Sequence, residues 1–488
     1  MKLNHILTLS LSLAFLTFTA NAADRIPKDN SITLKWNETE QSIDGFGIAQ
    51  AGWAKELYAF KNREQVMDKM FGKDGLRLNI LRGEVFPHYW ENEQDKDFNL
   101  NDDIHITLSD SDFIKKSDDL LRRGQLWITL EAKNKYHVDK LMFSAWSAPA
   151  WMKTNGQPSQ GQLKPECYQD FADYLAAFYK AYKSKGITPY ALSPSNEPGY
   201  AAPWNSSVWS AEEMGKFITA YLGPTFKKQN IPAKIIFGEN PLWSVVIPQI
   251  SVASSKDFTG TILQKYPEIK DFNIIAAGHG YSLSPDIMPI PIDKEYLKTP
   301  IIPFDLAEQN HIPVWVTEIS EVTPLDVSMK DGLNWASTFH NYLTQANVNA
   351  IVWWAGAMPT SNNESLIILD KNRTDYTLAK RYDVFGNFSR YIPEGSKRMN
   401  VSLPADSSLQ VSAYQKGKDF VIVAINGSDE QKSTELKIDG AKVKGTVKTY
   451  LTDADDRWNP SEIRSNAKKQ YILTLPPCSV MTITGTIN

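Results

Sequence analysis

Between residues 43 and 396, short apolar runs alternate with stretches of helical spacing, the pattern of an α/β protein with a parallel sheet. Eight runs read as strands: residues 43–49, 76–85, 140–146, 190–195, 234–238, 272–277, 314–317 and 350–354. A helical stretch begins at Ala51, another covers residues 168–184, and a long insertion precedes the third run. Eight strands are the number that closes a (β/α)8 barrel, and the chemistry-bearing residues gather at the strands' C-terminal ends. After residue 396 the runs shorten and alternate, at 409–414, 419–426, 433–438, 444–451 and 470–475. Asn426-Gly427 and Asp439-Gly440 separate them as turns, which predicts an antiparallel β-sandwich. Residues 31–35 form a further strand placed to complete that sandwich and tie the chain's two ends together. The expected fold is therefore a (β/α)8 TIM barrel over 43–396, fused to a β-sandwich over 397–488 that is joined by residues 23–42.

The first 22 residues have the organisation of a secretory signal: Lys2, an apolar run over 6–19 too short to span a membrane comfortably, and Ala20-Asn21-Ala22 as a cleavage site. Export to the periplasm or medium is expected, with cleavage after Ala22 and no stable membrane insertion. A net charge of -4 gives no basic patch, which argues against nucleic acid as a partner. Two cysteines, Cys167 and Cys478, make neither a disulfide framework nor a zinc site; two unpaired thiols are favoured, with a single bridge between them as the alternative. No metal motif occurs and no cofactor is expected. Fourteen Trp and twenty Tyr suit either a large core or the stacking of sugar rings.

Two glutamates stand out. Glu197 follows the fourth run in Ser195-Asn196-Glu197-Pro198, and Glu318 ends the seventh in Val314-Trp315-Val316-Thr317-Glu318. Two carboxylates facing each other across a pocket are what cleavage of a glycosidic bond requires: one protonates the leaving oxygen, the other attacks the sugar carbon or activates a water. Either glutamate alone could equally pair with an arginine or cap a loop. Both together, at strands four and seven of one barrel, favour catalysis. Asn196 beside Glu197 is suited to hydrogen-bond a sugar hydroxyl.

The chain resembles glycoside hydrolase family 30 along its whole mature length. Gly45-Phe46-Gly47, Leu78-Asn79-Ile80-Leu81-Arg82, the run from Trp146 to Gly156, Ser195-Asn196-Glu197-Pro198, Gly278-His279-Gly280-Tyr281, Thr317-Glu318 and Ile392-Pro393-Glu394-Gly395-Ser396 match that family's motifs in order. The resemblance implies a barrel with a fused β-sandwich and a retaining mechanism, with Glu197 as acid/base and Glu318 as nucleophile. It also implies that Arg82 holds the nucleophile's charge and that Tyr281 donates a hydrogen bond to it. His279 is a substrate contact or a structural histidine, and Trp146, Trp151 and Trp354 are candidates for the sugar platform. Trp353 and Trp354 must point opposite ways on a strand, and Trp354 is taken as the one facing the pocket. Glu84, Glu239 and Glu321 are read as loop or substrate-contact groups, with a structural role favoured, and His88, Tyr89 and Trp90 as lining an outer subsite.

Family members act on glucosyl lipids, β-1,6-glucan, β-1,6-galactan and xylan. Residues 355–368 contain no arginine, which argues against the glucuronoxylan specificity that the resemblance would tie to one there. The leading expectation is an endo-β-glycanase on plant or fungal polysaccharide, with β-1,6-galactan or xylan favoured. The alternatives are an exo-acting β-glycosidase or glucosylceramidase, a β-1,6-glucanase, and an inactive carbohydrate-binding protein.

Overall fold

The computed structural model describes residues 31–90, 92–94, 124–245, 252–281, 300–404 and 407–488. The expected signal segment lies outside the described residues, as does much of the insertion before the third strand. Eight parallel strands close a barrel: Gly45–Ala49, Ile80–Val85, Lys140–Ala145, Ala191–Ser193, Lys234–Phe237, Ile274–His279, Val314–Ile319 and Ala350–Trp354. The eighth pairs with the first, Gly45 opposite Ala350. Helices pack outside, among them Tyr168–Ser184, Met329–Thr344 and Lys380–Ser389.

Alternation sorts the barrel's side chains. Ile80, Met142, Ala191, Ile236, Ile275, Trp315 and Val352 fill the interior. Their sequence neighbours, such as Leu81, Phe143, Leu192, Ile235, Val316 and Trp353, face the helices. The Trp315 ring stacks on Tyr190 at 6.0 Å, and its Nε1 donates to Asp44 Oδ2 at 2.8 Å, which fills one end of the barrel.

Strand seven breaks this parity. Gly278 stands opposite Val316 but His279 opposite Glu318, and on the other side Val316 stands opposite Ile351 but Ile319 opposite Trp353. The strand carries one extra residue, a bulge that reverses which face the following side chains take. Trp315 accordingly points inward and Ile319 outward. Strict alternation from Trp315 would have sent Glu318 into the helix layer; the bulge turns it into the barrel.

The second domain is a nine-stranded, mostly antiparallel sheet, in the order Asn459–Ile463, Val447–Thr452, Ser479–Thr486, Asp419–Asn426, Leu409–Lys416, Lys397–Ser402, Ser31–Ser42, Lys432–Asp439 and Tyr471–Leu475. It folds over so that its two end strands meet, enclosing Ile32, Leu34, Phe420, Ile422, Leu436, Leu473 and Ile483. The N-terminal strand runs to Ser42, longer than the expected 31–35, and pairs with strands on both sides. Three strands escaped the sequence reading, for different reasons. Asn459–Ile463 is an exposed edge carrying Pro460, which only an edge tolerates. Lys397–Ser402 carries charge at its start. Ser479–Thr486 is rich in Ser and Thr because its outer face meets the barrel, where Thr482 exchanges hydrogen bonds with the Asn387 side chain (3.0 Å) and carbonyl (2.7 Å).

Trp458 is the centre of the seam between the domains. Its Nε1 donates to the Asp383 carbonyl at 2.7 Å, its ring lies 4.0 Å from the Arg390 guanidinium, and it fits against Gly386, where a Cβ would come within 2.1 Å of the indole. Tyr391 stacks on Tyr450 beside it at 4.3 Å. Trp458→Ala should cost about 3–5 kcal/mol of unfolding free energy. Denaturant titration reads this, and a loss below about 1 kcal/mol would show that the two domains do not brace each other.

Candidate active site

The C-terminal ends of the strands bring one group of polar side chains together. Arg82 rises from strand two, Asn196 and Glu197 follow strand four, Glu239 follows strand five, His279 ends strand six and Glu318 lies on strand seven; all six are buried. Arg82 is fully enclosed. Its Nη1 donates to Glu318 Oε2 at 2.5 Å, and its Nη2 donates to Asn196 Oδ1 at 2.7 Å and to Glu239 Oε1 at 3.3 Å. Tyr281 donates its hydroxyl to Glu318 Oε1 at 2.5 Å. Glu197 Oε1 pairs with His279 Nδ1 at 3.1 Å. Carboxylate oxygens of Glu197 and Glu318 and a ring nitrogen of His279 lie within 4.8 Å of one another.

Burial raises both facing carboxylic acids, but their partners separate them. Glu197 is pushed up to about 7 by burial, with Arg82 opposing and Glu239 adding to the rise. Glu318 is also raised by burial, while His279, Arg82 and the Tyr281 hydroxyl pull against it. A proton shared between the two therefore rests on Glu197, which lacks the guanidinium and phenol donors at 2.5 Å that favour ionised Glu318. Burial lowers His279 to about 4, so its ring is neutral at ordinary pH and can serve Glu197 as donor or acceptor. Burial and the Glu318 charge hold the Tyr281 phenol well above its usual range, so it stays a donor. Glu239 is resisted by burial but held below the usual range by Arg82. Three ligand-type groups this close can in principle take a cation, but Arg82 already supplies positive charge to Glu318, and the set suits proton and nucleophile chemistry.

Glu197 and Glu239 both adopt positive φ, +47° and +40°. Their backbones join directly, Glu197 N–H donating to the Glu239 carbonyl at 2.9 Å. Before Glu239, Gly238 sits at φ +109°, where a Cβ would lie 2.2 Å from the Ala277 carbonyl oxygen. These conformations cost free energy and are held by the surrounding hydrogen bonds, as is common where side chains must be aimed at a substrate.

The aromatic candidates divide. Trp146 lies under the Arg82 guanidinium at 4.6 Å, and its ring is 6.0 Å from half-buried Trp354. Trp353 points away, packed on Trp335 at 4.5 Å. Trp151 packs against the helix-layer core and donates to the Trp90 carbonyl at 3.1 Å. The outer-subsite reading needs correction for Tyr89 and Trp90, which are buried, on Phe178 at 6.4 Å and Tyr174 at 5.2 Å, because they turn inward to cover the helix layer, whereas His88 is half-buried. Glu321 is exposed, and Glu84 is buried within strand two. Glu239, for which the sequence favoured a structural role, is a second carboxylate on Arg82 beside Glu318; its place after strand five was the available signal. Cys167 and Cys478 are both free thiols.

Lys153, in the loop after strand three, is a second unforeseen feature. Its ammonium is buried with no carboxylate partner among the described residues, donating to Ser147 Oγ at 2.9 Å, the Pro158 carbonyl at 3.2 Å and the Ser206 carbonyl. It thus pins the loop after strand three to the loop after strand four. Burial lowers it to about 7. Between pH 7 and the ordinary lysine range the unfolded chain holds a proton that the folded chain has shed, so wild-type stability gains from rising pH across that window. Relative to Lys153→Met, wild type should gain up to about 1.4 kcal/mol per pH unit there. Paired unfolding titrations at pH 6 and 9 check this; a constant difference would refute it.

The model of O-glycosyl hydrolase family 30 matches residues 110–368, more than half of the chain. The chain is 23% identical to glucuronoxylanase XynC of Bacillus subtilis over 468 residues, covering 93% of this chain and 91% of that protein. It is 23% identical to the lysosomal acid glucosylceramidase of Mus musculus over 452 residues, covering 85% and 81%. Among solved structures, the catalytic domain of xylanase C from Talaromyces cellulolyticus superposes with a TM-score of 0.74 at 23% identity, covering 93% of this chain and all of that one. At that identity the likeness is one of fold.

Proposed function

Because the chain belongs to glycoside hydrolase family 30 and is a retaining glycoside hydrolase, we propose that it is a secreted endo-β-glycanase, with xylan or β-1,6-galactan as the favoured substrates. The observation that carries the mechanism is the approach of Glu197 and Glu318 oxygens to within 4.8 Å. A retaining pair stands about 5 Å apart, whereas an inverting pair needs roughly 6.5–9.5 Å to admit a water. In the first step Glu318 attacks the anomeric carbon as the bond to the leaving oxygen breaks, and Glu197 gives that oxygen its proton. In the second, Glu197 takes a proton from water, the water oxygen attacks the same carbon, and Glu318 leaves. Arg82 and Tyr281 keep Glu318 ionised and oriented between turnovers. Asn196 Oδ1 accepts from Arg82 Nη2, which orients its Nδ2 as a donor for a sugar hydroxyl. Trp146 and Trp354 supply the apolar wall.

The xylanase reading draws on the names of XynC and the Talaromyces enzyme. The murine relative's name favours a second reading, an exo-acting glucosylceramidase. The test is product analysis on xylan, glucuronoxylan, β-1,6-galactan, β-1,6-glucan and glucosylceramide, with Glu197→Gln as control. A ladder of oligomers from one polymer, lost in the control, is expected. Monosaccharide release alone would replace the endo reading with the exo one. Export rests on the signal read at residues 1–22, and the purified extracellular or periplasmic protein should begin at Ala23 by N-terminal sequencing.

A further inference from the structure

We propose, resting on the endo-glycanase reading, that Tyr200 and Trp204 form a binding subsite for a neutral β-linked sugar on the leaving-group side of the cleaved bond. The loop of residues 198–209 grows directly out of the acid/base position: Tyr200 N–H donates to the Glu197 carbonyl at 2.9 Å, and Trp209 N–H closes the loop onto the Pro198 carbonyl at 2.8 Å. The group that protonates the leaving oxygen must lie on the side of the departing sugar, so a chain running past the cleaved bond passes over this loop.

The loop is fixed. Ser206 N–H donates to the Pro158 carbonyl at 3.1 Å and Val208 N–H to the Gly161 carbonyl at 2.8 Å. Ser206 Oγ donates to the Ala202 carbonyl at 2.8 Å and accepts from Gln160 N–H at 2.8 Å. Ala202 and Asn205, two and one residues from Trp204, are buried. Trp204 nevertheless keeps 52% of its surface open, with its ring centre 6.0 Å from that of half-buried Tyr200 at an interplanar angle of 66°. An indole displayed by a tied-down backbone offers a flat apolar face at little cost in lost chain freedom on binding. Residues 198–209 include no Asp, Glu, Lys or Arg, so the surface suits an uncharged pyranose rather than an acidic sugar.

The test compares wild type with Trp204→Ala, Tyr200→Ala and Trp204→Phe on β-1,4-xylohexaose, β-1,6-galactohexaose and β-1,6-glucohexaose. An aryl β-glycoside, whose leaving group ends at the phenol, is the reference substrate. For the hexasaccharide that wild type cleaves, the ratio of its kcat/KM to that of the aryl glycoside should fall about tenfold in Trp204→Ala, with partial recovery in Trp204→Phe. A ratio within about twofold of wild type would overturn the subsite and leave the endo-glycanase reading standing. Wild type that cleaves the aryl glycoside but none of the hexasaccharides internally would overturn both.

Discussion

Glu318→Ala should lower turnover of natural glycans by more than about 10³-fold, because it removes the carboxylate proposed to form the covalent bond to the anomeric carbon. The cavity left behind is lined by the Arg82 guanidinium and the Tyr281 hydroxyl, the two donors that hold Glu318 at 2.5 Å. A small anion fits that vacancy electrostatically. Added azide should therefore rescue cleavage of an activated aryl glycoside. Its nitrogen bonds to the anomeric carbon as the phenolate leaves, giving a glycosyl azide of inverted configuration. Proton NMR of the product reads the anomeric configuration directly. A retained azide, or undiminished turnover of the variant, would remove Glu318 from the nucleophile's role.

That this glutamate faces the pocket was not legible from hydrophobic pattern. All eight barrel strands could be read from apolar runs, since burial on both faces leaves a strong signal in sequence. Parity along most of them is also readable: Arg82 lies two residues beyond interior Ile80, and Trp354 two beyond interior Val352. Strand seven is different, because its bulge depends on pairing with both neighbours and leaves no trace in local composition. Glu318 was singled out by its place at the end of an apolar run and its pairing with Glu197, and its nucleophile role came from the family motif, not from strand parity. Glu239 was underrated for a related reason. Its aim depends on a positive φ after Gly238 and on an arginine 157 positions earlier in the chain, neither of which a local window contains. Tyr89 and Trp90 failed in the opposite sense: aromatic residues at a strand end look like a sugar platform whether they face the cleft or the helix layer.

Glu197→Gln tests the other half of the pair, and pH is the informative axis. Burial holds the Glu197 carboxyl at about 7, so in the free enzyme it carries its proton below that pH and loses it above. The form that can protonate a leaving oxygen is the low-pH form, and wild-type kcat/KM should decline as pH rises through about 7. Glutamine keeps the shape and a hydrogen bond to His279 but has no proton to transfer. The variant should lose about 10²- to 10⁴-fold on glycans, whose leaving alkoxides need protonation. It should lose far less on dinitrophenyl glycosides, whose phenolate departs unaided. On those substrates the alkaline decline near pH 7 should also vanish, since the group that caused it is gone. A structural defect would depress both substrate classes alike and leave the decline in place. A decline that survives in Glu197→Gln would assign the titration to another group and with it the acid's role.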